Sequence, residues 1–189
     1  MTTPDQRFPH VRAGGGAAYS LIGEVITFKV TSAQTGDTVS IVELRSQPQG
    51  GPPLHTHPAA EAFIILEGEF EFSGLDRGEP YTIRATAGDI VYIPGGAPHT
   101  YKTVGSTPGK ALGVLTPGGA MERFFAEVGT PVLETSAASA AAAGPPSAAE
   151  LARHIAIAGR HGIVFLPPHD AAADTADTAG VRPGAQARE

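Results

Sequence analysis

Short apolar runs, each cut off by Gly, Pro or Asp within about a dozen residues, constrain the fold of this chain more than any other feature. Residues 20–30 carry Leu21, Ile22, Val25, Ile26, Phe28 and Val30, rich in β-branched types, and read as a strand with a break possible at Gly23. Thr35, Gly36 and Asp37 form a turn, and residues 39–45 make a second strand until Pro48, Gly50 and Gly51 interrupt it. Residues 61–67 reverse at Gly68 into Phe70, Glu71 and Phe72, whose alternation gives a hairpin with Glu67, Glu69 and Glu71 on its wet face. Further short runs at 81–84, 90–93, 99–103 and 110–115 keep a spacing of roughly 8–12 residues, the pattern of an all-β sandwich or barrel.

The period changes after Gly119. Met121, Phe124, Phe125 and Val128 fall at i, i+3, i+4 and i+7, with Glu122 near the start and Gly129 at the end, which predicts a short amphipathic helix packed on the core. Ser147 and Glu150 have the spacing of a capping box, and Leu151, Ile155 and Ala158 continue one face of a second helix. Gly162 ends it before residues 163–166, an extended piece expected to dock on the barrel. The expected organisation is a flexible arm over 1–19, a barrel with its following helix over 20–133, an Ala/Pro-rich connector over 134–146, a docking helix over 147–167 and a disordered tail over 168–189.

With 189 residues and 41% hydrophobic side chains, the chain can bury one core. A net charge of -6 without a basic run argues against nucleic acid as a partner. No stretch reaches the ~20 apolar residues of a membrane span, and residues 1–9 lack an apolar signal core, so a cytoplasmic location is the default expectation. There is no cysteine, hence no disulfide or thiolate chemistry. Open edge strands, with an arm near Gly14 able to cross to a second copy, make a homodimer the expected assembly.

One segment is dense in metal-binding types. In an extended strand His55 and His57 point the same way, and Glu61 joins them after a short bend. His99, after the turn Pro94-Gly95-Gly96-Ala97-Pro98, is the best fourth ligand. Three imidazoles and one carboxylate suit Fe, Ni, Co, Mn, Cu or Zn alike, so one divalent transition metal is expected without its identity. Inward polar groups without partners are costly, which favours a shared ion over four separate accidents. His154, His161 and His169 are assigned to the surface, and His10 is given no metal role.

These two segments resemble the motifs of the cupin superfamily. His55, His57, Glu61 and Gly68 match the first motif, and Gly88, Pro94, Gly96 and His99 match the second. Two positions depart from the pattern: Gln49 stands where a glycine is common, and Thr103 where an asparagine is common. The resemblance implies a cupin jelly-roll, a double-stranded β-helix barrel, followed here by short C-terminal helices. Residues 117–125, with Gly129, Thr130 and Pro131 behind them, further resemble the segment after the barrel in single-domain bacterial quercetin 2,3-dioxygenase-like cupins. That resemblance implies a metal-dependent dioxygenase acting on a small aromatic or enolisable, flavonol-like molecule and on dioxygen. Glu61 is then the ligand that also serves as base, and Phe63, Ile65 and Tyr101 are candidate pocket walls. An isomerase, cyclase or lyase using the same ligands, and a non-catalytic small-molecule binder, are the alternatives.

Overall fold

The computed structural model describes residues 8–133 and 147–167. Two antiparallel sheets face each other across one apolar core. The first has the order β11-β1-β2-β3-β10-β5-β8, from strands β1 (Ala18–Leu21), β2 (Glu24–Val30), β3 (Ser40–Ser46), β5 (Ala60–Glu67), β8 (Ile90–Ile93), β10 (Gly109–Thr116) and β11 (Thr130–Val132). The second has the order β12-β4-β9-β6-β7, from β4 (His55–Thr56), β6 (Glu69–Asp76), β7 (Glu79–Thr86), β9 (His99–Val104) and β12 (Val164–Phe165). Helices α1 (Ser32–Thr35), α2 (Gly119–Val128) and α3 (Ala148–Arg160) complete the described residues. This is the all-β architecture expected from the run spacing, and the jelly-roll that the cupin resemblance implies.

Alternation builds the core. Along β3, β5 and β6 every second residue is buried, and Val42, Leu44, Phe63, Ile65, Phe70 and Phe72 meet between the sheets. Gly68 turns β5 into β6 at φ 79°, and a Cβ there would lie 2.9 Å from the Gly109 backbone, so only glycine fits. The break expected at Gly23 is a full reversal: Ile22 and Gly23 both take positive φ, and β1 pairs antiparallel with β2. An isoleucine in that conformation gives no turn signal in sequence, so the run reads as one strand.

The helices tie the ends of the barrel together. The Glu122 carboxylate in the first turn of α2 accepts from Ser32 N–H at 2.5 Å, from the Ser32 hydroxyl at 2.8 Å and from the Ser40 hydroxyl. At the start of α3 the Ser147 hydroxyl accepts from Glu150 N–H while the Glu150 carboxylate accepts from Ser147 N–H. The buried face of α3 is His154, Ile157 and Ala158, not the stripe of Leu151, Ile155 and Ala158; Ile155 is 46% exposed. Both stripes fit a helical period, and packing of α3 on α2 and β12 selects between them. His154 is therefore not a surface residue: it is 7% exposed, and burial, reinforced by Arg153 beside it, lowers its pKa. His161 is half-buried and paired with Glu127 at 2.7 Å. The 134–146 connector, the 168–189 tail with His169, and residues 1–7 of the arm lie outside the described residues. No helix among the described residues is long and apolar enough to cross a membrane.

Candidate metal centre

Strand pairing brings the two histidine segments into register. His55 on β4 sits opposite His99 on β9, and Glu61 enters from β5 in the other sheet, paired with Leu115 and Ile93. The loops bearing them brace one another: Gly96 N–H donates to the His57 carbonyl at 2.7 Å, and the Thr56 hydroxyl donates to the Gly96 carbonyl at 2.8 Å. A Cβ on Gly95 would fall 2.2 Å from the Pro58 carbonyl oxygen, so the Pro94 turn needs glycine to press this closely on the first motif.

All four side chains are buried, between 3% and 5% exposed, so none of them meets bulk water. Nitrogens of His55, His57 and His99 lie within 4.8 Å of one another, and the Glu61 oxygens are 3.3 Å from His57 Nε2 and 3.5 Å from His99 Nε2. The two outer rings are oriented from behind. His55 Nδ1 meets the Pro53 carbonyl at 2.9 Å and His99 Nδ1 meets the Ala97 carbonyl at 2.8 Å. A carbonyl only accepts, so each Nδ1 carries the hydrogen and each Nε2 keeps its lone pair free. His57 Nε2 and His99 Nε2 have no hydrogen-bond partner among the described residues. Orphaned buried acceptors converging with a carboxylate fit a divalent cation, which would satisfy them together.

The electrostatics run the same way. Burial, with His99 and His57 beside it, lowers the His55 pKa to about 3, so the ring is neutral and able to ligate. Burial pushes the Glu61 carboxyl up, but the His57 and His99 rings more than offset this and bring it to about 2.

A cavity of about 60 Å³ opens beside the cluster. His55, Glu61, Phe63 and Tyr101 line it, together with Met121 and Phe124 of α2 and with Ile163 and Phe165 from the segment after α3. Phe165 lies 5.9 Å from the His55 ring, centroid to centroid. Ile65 shares the parity of Phe63 but is not part of this wall: it sits 1% exposed in the core. Parity fixes the face of a strand, not the depth along it, and two residues are about 6.6 Å apart.

Sequence reasoning missed Glu24. It is 4% exposed at the start of β2 and lines the same cavity, where the Tyr101 hydroxyl donates to its Oε2 at 3.2 Å and its Oε1 has no partner among the described residues. Burial pushes its carboxyl up to about 8, against the Ser46 and Tyr101 hydroxyls. The available signal was a lone carboxylate inside a β-branched run, immediately before Val25 and Ile26.

Residues 42–115 match the family model described as the cupin domain. The fold is a cupin fold. Solved structures share the fold: oxalate decarboxylase of Lactobacillus farciminis superposes with a TM-score of 0.51 at 21% identity, covering 61% of this chain and 34% of its own. Peruvianin-I, a cysteine peptidase from Thevetia peruviana latex, superposes with a TM-score of 0.50 at 23% identity, covering 61% of this chain and 77% of its own. This chain has no cysteine, so that likeness is one of fold alone. Among curated proteins, dimethylsulfoniopropionate lyase DddQ of Ruegeria pomeroyi is 47% identical over 51 residues, which is 27% of this chain and 24% of the lyase. The two departures from the cupin pattern meet in this barrel: Gln49 takes the left-handed φ of 64° that favours glycine, and its N–H donates to the Thr103 carbonyl at 2.9 Å.

Proposed function

We propose that this cupin is a metal-dependent enzyme acting on a small aromatic or enolisable molecule, with a dioxygenase of the quercetinase-like type as the leading reading. The observation that carries the metal is the set of orphaned imidazole nitrogens held beside the Glu61 carboxylate on the wall of an apolar cavity. His55, His57, His99 and Glu61 would hold one divalent transition ion. Such an ion would supply Lewis acidity toward a substrate oxygen and activation of dioxygen. The protein's own part is to fix the Nε2 lone pairs through the Pro53 and Ala97 carbonyls. Phe63, Phe124 and Phe165 exclude water from the cavity, and Glu61 takes a substrate proton on one oxygen when it turns from the cluster.

A specific observation favours a second reading, a lyase that needs no oxygen. The curated relative that is 47% identical over 51 residues is a lyase. Metal-loaded protein screened with flavonols and small diketones in an oxygen electrode separates the two. Oxygen uptake that stops in Glu61→Gln supports the dioxygenase, and full turnover under nitrogen replaces it with the lyase. Ligand binding with no product by mass spectrometry would reduce the protein to a binder.

A further inference from the structure

Glu24 is the one buried carboxyl in the cavity wall that the proposed cluster does not use. Its two oxygens are unequal. Oε2 accepts from the Tyr101 hydroxyl at 3.2 Å, which makes it the carbonyl-type oxygen, whereas Oε1 is buried without a hydrogen-bond partner among the described residues, on a side chain that lines the mostly apolar cavity. A buried polar atom left without a partner is costly, so its retention at a cavity wall asks for an occupant. With Oε2 accepting, a neutral carboxyl carries its hydrogen on Oε1 and presents a donor.

We infer that Glu24 is a substrate-contacting residue, which donates a hydrogen bond from Oε1 to a carbonyl, enolate or phenolate oxygen of the molecule bound beside His55 and Glu61. This rests on the functional reading above and deepens it by naming the substrate class: a compound with an apolar body and an acceptor oxygen on which negative charge develops. Tyr101 is a positioning residue that fixes the carboxyl rotamer. Burial pushes the carboxyl up to about 8, so it is neutral at pH 7, where an ionised one would repel an enolate. The charged and titratable groups that share its cavity are Tyr101, Glu61 and His55. Paired, protonated carboxyl and phenol groups of this kind stabilise oxyanions strongly because they are desolvated and need not reorganise.

Acetylacetone, a small enolisable diketone whose enolate absorbs in the ultraviolet, is the probe. Its affinity is measured on metal-loaded wild type, Glu24→Gln and Glu24→Leu, alongside metal content by elemental analysis and a thermal melt. Glu24→Gln keeps a donor toward the cavity and an acceptor toward Tyr101, and stays within about 3-fold of wild type, whereas Glu24→Leu binds at least ~10-fold more weakly with metal content unchanged. Equal affinity in wild type and Glu24→Leu overturns the inference, as does a metal-loaded wild type that does not bind the probe. Loss of metal in Glu24→Leu would show that the residue shapes the cluster instead, and overturns it too. A wild type that takes up no metal overturns the functional reading, and is told apart by the elemental analysis.

Discussion

Two polar clusters face one apolar cavity and answer to opposite charges. Around His55, His57, His99 and Glu61, buried ring nitrogens without hydrogen-bond partners among the described residues converge on a carboxylate, an arrangement relieved by a cation. Around Glu24 and Tyr101, burial holds both groups in their neutral, hydrogen-bearing forms, an arrangement that greets negative charge. The lesson is that burial alone does not set chemical character. The same low-dielectric wall yields an ion site where imidazoles surround a carboxylate, and a neutral acid where a phenol does.

The largest expected effect separates the clusters by metal. Alanine at His55 or His99 should weaken divalent-metal affinity on the order of 1,000-fold in a calorimetric titration, while Glu24→Gln leaves it unchanged. With metal at 1,000 times the wild-type Kd, wild type should gain about 4 kcal/mol in stability and the histidine variants only about 0.4 kcal/mol. Equal losses in both clusters would erase the distinction.

Protons should separate them next, with opposite sign. His55 has its pKa lowered in the fold from 6.5 to about 3, so in metal-free protein its contribution is present above pH 6.5 and is lost as pH falls toward 3. Glu24 has its pKa raised from 4.5 to about 8, so its contribution is present below pH 4.5 and is lost as pH rises through 8. Glu24→Gln does not titrate. The stability difference between wild type and this variant in urea melts should fall by about 1.4 kcal/mol per pH unit across that second window. A flat difference would mean that Glu24 is ionised like an exposed carboxylate.

How far each cluster can be read from sequence follows from how it is assembled. His55, His57 and Glu61 lie within seven positions, so local spacing singles them out as candidates, whereas His99, far downstream, was proposed from its place after the Pro-Gly turn of the second motif. Glu24 meets Tyr101 only because β2 and β9, in different sheets, close over the same space, and nothing local to either residue records that. The strand pattern was legible for the same reason as the histidines: alternation in β3, β5 and β6 is a local signal. The reversal at Ile22 and the burial of His154 were not, since the first uses a residue type that rarely turns and the second depends on where α3 docks.

A smaller effect sharpens the second cluster. Tyr101→Phe removes the donor to Glu24 Oε2 and leaves that oxygen unpaired, which should cost about 1–3 kcal/mol in denaturant melts without changing metal affinity. The smallest belongs to the segment after α3: Phe165→Ala should speed metal release from the cavity beside His55, read by chelator competition, with a change of about 10-fold or less.

Metal stoichiometry of purified protein, compared between wild type and His99→Ala after loading and dialysis, tests the central claim most directly. One tightly held transition ion per wild-type chain, and almost none in the variant, is the predicted result. A wild-type chain that retains no ion, or a variant that retains as much as wild type, would contradict it.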